Sequence, residues 1–92
     1  MSPEQSRAAR GWLGWSQHEL AKRSRVSLST VRDFEKGRHV PIAATLDAMR
    51  RALVSAGIEF IDESGKPVGI RGASDTHGDL VSDDAGNGAS AT

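Results

Sequence analysis

Residues 16–41 read SQHELAKRSRVSLSTVRDFEKGRHVP, and this stretch predicts two short helices joined by a tight turn. Ser16 is followed three residues later by Glu19, which is the spacing of a capping box at the start of a helix. In such a box each side chain bonds a backbone N–H of the other residue. Leu20 and Ala21 then face inward, and the turn falls at residues 25–26.

The second helix of this stretch has one apolar and one polar face. Ser27 supplies its N-cap, Val31 and Phe34 lie three residues apart on the apolar face, and Gly37 ends it. If the apolar face is buried, six residues point toward solvent or a binding partner: Leu28, Ser29, Thr30, Arg32, Asp33 and Lys36. Short polar and basic side chains suit the base edges and phosphates of nucleic acid.

Positive and negative charges are segregated along the chain, although the formal net charge is zero. Residues 1–71 hold all twelve Lys and Arg but eight of the twelve Asp and Glu, so they carry +4 and residues 72–92 carry −4. A basic body with an acidic tail is typical of nucleic-acid-binding proteins. Because residues 72–92 are rich in Gly, Ala, Ser and Asp, we expect them to be a disordered tail.

Two further helices flank the central stretch. Residues 2–5, SPEQ, have the pattern of a second capping box, so a helix is predicted from Pro3 to Gly14. Residues 42–53 repeat apolar side chains at helical spacing before a stop at Gly57. This segment forms either one long helix or two short ones.

In residues 58–71 the spacing of the apolar residues changes from helical to alternating with polar residues, and this alternation predicts a β-hairpin. A lone two-stranded hairpin is marginal in water, so it must pack on the helices or pair with a hairpin from a second chain. We favour pairing in a homodimer, with Ile58, Phe60, Val68 and Ile70 as the dimerisation residues.

The chain resembles the Cro/C1-type helix-turn-helix family, the phage-repressor-like group also called XRE. Eleven residues carry the resemblance, in the family's order and spacing: Gln17, Leu20, Ala21, Val26, Ser27, Thr30, Val31, Phe34, Glu35, Gly37 and Pro41. The resemblance covers about residues 3–57. It implies a mainly α, lambda-repressor-like bundle of four to five helices over residues 1–57, whose third helix enters the major groove of double-stranded DNA.

The resemblance also assigns roles to individual residues. The base-edge contacts are Ser27, Leu28, Ser29, Arg32 and Asp33. The phosphate contacts are Gln17, Arg25, Thr30, Lys36, Arg38 and His39, and Gln17 is also expected to support the third helix. Arg10 and Glu35 hold the positions of a structural salt bridge between the first and third helices. For each contact residue the alternative interpretation is an ordinary solvated surface, and Asp33 can also act by repelling phosphate.

Two residues depart from the family's pattern. Arg25 stands in the turn where relatives prefer glycine, because the residue there often takes a positive φ; a non-glycine residue costs about 1 kcal/mol. Leu28 stands where relatives often have a polar base-contacting residue, and its side chain is suited to a thymine methyl group.

Other function classes lack the residues that they need. The chain has no cysteine, its three histidines share no metal-ligand spacing, and no nucleophile stands beside a histidine and an acid, so we expect no metal, cofactor or catalytic site. It has no apolar run of about 20 residues and no secretory signal, which favours a cytoplasmic protein without a membrane partner.

Two functions remain open. The first is a sequence-specific DNA-binding transcriptional regulator, a repressor or autoregulator that binds a palindromic operator as a homodimer. The alternative is an antitoxin or adaptor whose hairpin and tail, residues 58–92, bind a partner protein.

Overall fold

The computed structural model describes residues 1–72, which form four helices followed by an antiparallel β-hairpin. The elements are α1 (Pro3–Leu13), α2 (Gln17–Ser24), α3 (Leu28–Glu35), α4 (Ala43–Ser55), β1 (Ile58–Glu63) and β2 (Lys66–Gly72). The predicted mainly α fold with a C-terminal hairpin is confirmed. Within these residues there are four helices and no fifth, and residues 42–53 contribute to a single helix. The disordered tail was predicted for residues 72–92. Gly72 is instead the last residue of β2, and residues 73–92 lie outside the described residues.

The helix starts show how local sequence sets the boundaries. At α1 both halves of the capping box form, since Ser2 Oγ accepts from Gln5 N at 3.1 Å and Gln5 Oε1 accepts from Ser2 N at 2.9 Å. At α2 the Ser16 hydroxyl accepts from the Glu19 backbone N–H, but the Glu19 carboxylate pairs with Arg23 one turn later. The capping box predicted there forms only in part. The Glu19 side chain does not bond the Ser16 backbone N–H, because its carboxylate forms the i,i+4 ion pair.

Within residues 1–72, two non-glycine residues adopt left-handed backbone conformations. Arg25 ends α2 with φ of +60°, which confirms the expectation that this turn needs a positive φ. Ser64, with φ of +52°, and Gly65, with φ of +77°, form the two-residue turn of the hairpin. Positive φ at both central residues matches the right-handed twist of the strands that such a turn joins.

The core lies among the four helices and the start of β1. Its buried apolar residues are Ala9, Leu20, Ala21, Val31, Phe34, Met49, Leu53 and Ile58. Val31 and Phe34 occupy the inner face of α3 as the sequence predicted, so the opposite face of α3 is directed outward. Trp15 is half-buried at the edge of this core, where the Arg23 guanidinium stacks on its ring.

The hairpin packs on the helices of its own protomer. Ile58 is 3% exposed and belongs to the core, while Phe60 and Ile70 are half-buried against it. Ile58 is thus buried within its own protomer, and its assignment to dimerisation stays a prediction. Val68, by contrast, is 54% exposed.

Polar and aromatic contacts of α1 also hold the hairpin. Gln5 Nε2 donates to the backbone carbonyl of Gly69 at 2.9 Å and to that of Ile61 at 3.3 Å. The Trp12 indole lies against Gly72 so closely that a Cβ at this position would collide with it. Both strands are thus attached to α1.

Candidate nucleic-acid interface

The outward face of α3 carries a stripe of exposed polar and basic side chains. Ser29, Arg32 and Lys36 are all exposed and lie three and four residues apart, a spacing that places them on one side of a helix. We call these three residues the α3 stripe. Because Val31 and Phe34 fix the opposite side in the core, the stripe has one orientation relative to the domain.

Hydroxyl groups cluster at the start of α3. Ser27 Oγ accepts from Thr30 N at 3.1 Å and lies 2.7 Å from Thr30 Oγ1 and 3.2 Å from Ser29 Oγ. The cluster caps the helix, whose N-terminal N–H groups attract anions. Ser27 and Ser29 are exposed there, whereas Thr30 is half-buried.

Two residues assigned to base contacts lie beside the stripe rather than on it. Leu28 is half-buried and packs against the core, so part of its apolar surface already has protein partners. Asp33 is also half-buried, and its backbone carbonyl accepts from Arg38 N at 2.9 Å. These contacts leave Ser27, Ser29 and Arg32 as the assigned base-edge residues that are exposed.

Exposed basic side chains lie at both ends of α3. Arg25 is exposed in the turn before it, and Lys36, Arg38 and His39 are exposed in the segment that follows. Such an arrangement suits a duplex, where phosphates flank the base edges on both sides of the major groove.

The buried carboxylate of Glu35 joins three helices behind this face. Its side chain is 1% exposed and accepts from Ser6 Oγ at 2.6 Å, Arg10 Nη2 at 2.7 Å and Gln17 Nε2 at 3.1 Å. Arg10 Nε adds a bond of 2.9 Å, so the guanidinium binds the carboxylate as a fork. A buried charge is tolerated when it is both paired and hydrogen-bonded, as here.

These partners decide the charge state of Glu35. Burial raises the pKa of the Glu35 carboxyl, but hydrogen bonds from Arg10, Ser6 and Gln17, together with the Arg10 charge, outweigh burial. The net result is a pKa below the ordinary value, so the carboxylate is ionised at neutral pH. The Arg7 guanidinium also donates to the Glu35 backbone carbonyl, at the C-terminal end of α3 where a cation is favourable.

Sequence reasoning identified only part of this cluster. It predicted that Arg10 and Glu35 face each other, but it missed Ser6 and Arg7. Ser6 and Arg10 lie four residues apart, so they occupy one face of α1, and this spacing was the available signal. Gln17, assigned to a phosphate, also has a structural partner in Glu35.

The segment between α3 and α4 exposes two apolar residues. Val40 and Ile42 are each 74% exposed. Ile42 was predicted to lie on the apolar face of the fourth helix, but it occupies the N-cap position before the first turn of α4, where its side chain is directed away from the core.

A family model described as helix-turn-helix matches residues 7–53, which include all of α2 and α3. The chain belongs to the Cro/C1-type helix-turn-helix family. A search of curated proteins finds no match to this chain. In a helix-turn-helix protein the second helix of the motif is the one that enters the major groove. That helix is α3 here, and the matched domain is of a DNA-binding regulatory type.

Residues 1–72 contain neither a membrane-spanning helix nor a cluster of metal ligands. None of the helices described there is long and apolar enough to cross a membrane. In the same part of the chain, no group of three His, Cys, Asp or Glu side chains is placed to hold a metal ion.

Proposed function

We propose that this helix-turn-helix protein is a sequence-specific transcriptional regulator, a repressor or autoregulator that binds a palindromic operator as a homodimer. The α3 stripe is the observation that carries the proposal. Its three exposed side chains stand opposite the buried Val31 and Phe34, and cations flank them at both ends of the helix.

Base reading is assigned first to Arg32. Its exposed guanidinium lies in the middle of the α3 stripe and can donate two hydrogen bonds to O6 and N7 of one guanine. Ser27 and Ser29 supply hydroxyls to neighbouring base edges or phosphates. Leu28 and Asp33 act from the edge of this surface, where a thymine methyl and a cytosine amino group are their matching partners.

Phosphate binding is assigned to Lys36, at the end of the stripe, and to residues around the stripe. These residues are Gln17, Arg25, Thr30, Lys36, Arg38 and His39. Each phosphate that they neutralise adds affinity that depends on salt but not on sequence.

Dimerisation is assigned to the hairpin, through the exposed Val68, the half-buried Phe60 and Ile70, and Ile58 at the base of β1. Val68 is the most suitable test position because its side chain is largely exposed, so a substitution leaves the core intact. Two protomers related by a two-fold axis would place their α3 helices in successive major grooves, about 10 base pairs apart.

Selection of bound sequences from a random DNA pool tests the proposal. Enrichment of a palindrome with half-sites about 10 base pairs apart supports a dimeric sequence reader. Val68→Asp should sediment as a monomer, whereas Lys66→Asp, an exposed change in the same strand, should remain a dimer. A pool without any enriched sequence would contradict the proposal and favour the adaptor that binds a protein through residues 58–92.

A further inference from the structure

A groove of about 540 Å³ lies between the end of α2 and the outer side of α4. Three guanidinium groups and three small side chains dominate its lining: Arg23, Arg25, Arg51, Ala48, Ala52 and Ala56. We call it the arginine groove. The three alanines are four residues apart, so they form one apolar strip along α4 between the charged side chains.

The arginines of the groove can bind a further anion at little cost. Arg23 pairs with Glu19 and Arg51 with Asp47, but the two arginine side chains are 54% and 71% exposed. Exposed i,i+4 pairs contribute little to stability, so exchanging these partners is inexpensive. Arg25 is itself exposed at the end of the groove.

The chain leaves the described structure close to this groove. Gly72, the last residue of β2, pairs with Ile58, which follows the groove residue Ala56 by two positions. The path from Ala56 to Gly72 consists of two Cα–Cα steps along the chain to Ile58 and one step across the strand pair. The Cα atoms of Gly72 and Ala56 are therefore at most about 13 Å apart. Residues 73–92 therefore begin within reach of the groove and are long enough to traverse it.

The chemistry of residues 73–92 is complementary to the groove. They contain no Lys or Arg and four aspartates, at 75, 79, 83 and 84. Leu80 and Val81, the only large aliphatic residues of this segment, fall between the aspartates. An apolar pair with aspartates on both sides matches a groove whose alanine strip has guanidinium groups on both sides.

We propose that the arginine groove binds the acidic segment of the same chain, residues 75–84. The aspartates pair with Arg23, Arg25 and Arg51, and the Leu80–Val81 pair covers the alanine strip. This inference goes beyond DNA binding and does not depend on it, because the groove lies between α2 and α4 and shares only Arg25 with the residues assigned to DNA.

Paramagnetic broadening in the full chain tests the inference without DNA. Because the chain has no cysteine, Ser82→Cys gives a single site for a nitroxide label. At low salt the label should broaden the amide signals of Arg25, Ser55 and Ala56 by more than half and those of the α3 stripe less. At about 1 M salt, where the Debye length is about 3 Å, the broadening should disappear.

Two charge variants separate groove binding from general attraction. Arg51→Gln, an exposed change within the groove, should reduce the broadening at least two-fold. Arg38→Gln removes the same charge from the segment after α3 and should leave the broadening unchanged. Equal reductions in both variants would overturn the proposal.

Three further outcomes would also overturn it. One is broadening centred on Ser29 and Arg32, which would place the segment over the DNA-facing surface. Another is the absence of any broadening at low salt. The third is broadening that appears only between molecules, when unlabelled ¹⁵N protein is mixed with labelled ¹⁴N protein, because the occupant would then belong to a second copy.

Discussion

Gln17 Nε2 donates to Glu35 Oε1 at 3.1 Å, and this bond joins the first residue of α2 to the last residue of α3. Because Glu35 also binds Arg10 and Ser6, the same carboxylate attaches both helices of the motif to α1. The orientation of the α3 stripe therefore depends on a buried ionic cluster as well as on apolar packing.

The buried pair should be worth far more to stability than an exposed one. Arg10→Ala leaves the Glu35 carboxylate buried without its cation, so we expect the free energy of unfolding to fall by about 3–5 kcal/mol. Urea denaturation measures this loss. Arg51→Ala, which removes the exposed partner of Asp47, is the matched control and should cost less than about 1 kcal/mol. Similar losses in the two variants would contradict the role given to Glu35.

The lowered pKa of Glu35 predicts acid sensitivity. A carboxyl whose pKa is lower in the folded than in the unfolded state stabilises the fold above its ordinary value of 4.5, and this contribution is lost as the pH falls through the lower folded pKa. Thermal melts should therefore show a steep loss of stability below about pH 4.5. In Glu35→Gln that loss should be shallower. Glu19→Gln is the control: the hydrogen bond from Arg23 also lowers the pKa of Glu19, but this i,i+4 pair lies at the surface, so the variant should retain most of the wild-type slope. Equal slopes for wild type and Glu35→Gln would refute the prediction.

Gln17 offers a test of the link between structure and phosphate binding. Gln17→Met removes the bond to Glu35 and the amide available to a phosphate, so DNA affinity should fall by about 1–2 kcal/mol for every sequence alike. Gln17→Glu should also destabilise the fold, because it places a second carboxylate beside Glu35. Titrations with the selected operator and a scrambled duplex measure the first effect. A loss confined to the operator would show that Gln17 reads sequence instead.

Arg25 combines backbone strain with a charge near the motif's turn. Arg25→Gly should relieve the strain of the left-handed conformation and stabilise the fold by up to about 1 kcal/mol, less the entropy that glycine adds to the unfolded chain. The same variant should reduce the slope of log affinity against log salt by about 0.9 if Arg25 neutralises one phosphate. Arg38→Ala removes a charge at a position without positive φ, so it should reduce the slope without adding stability. A destabilised Arg25→Gly would contradict the strain argument.

Local signals predicted most of the fold. The caps at Ser2, Ser16 and Ser27 placed the starts of the first three helices within a few residues of their observed bounds. Helical spacing from residue 42 indicated one or two helices where the single helix α4 forms. The change of period at Ile58 located the hairpin. These features depend on interactions between residues three or four apart, which a sequence shows directly.

Contacts between distant residues were harder to predict. Gln5 was assigned only to a cap, yet its amide also bonds Ile61 and Gly69, which lie 56 and 64 residues away. No local pattern specifies such a contact. In the candidate site, the outward face of α3 followed from the burial of Val31 and Phe34. The attachment of Gln17 to Glu35 did not, because it depends on how α1, α2 and α3 pack together.

Sequence reading by the α3 stripe can be tested in one series of DNA-affinity titrations. Arg32→Ala is measured against the selected operator and against operators changed one base pair at a time, with Arg38→Ala as the control. We expect Arg32→Ala to lose about 1–3 kcal/mol of affinity and to lose its preference for one base at a single operator position, while Arg38→Ala weakens binding to every duplex equally. If Arg32→Ala instead retained full discrimination at every position, α3 would not be reading the operator through this residue and the claim would be contradicted.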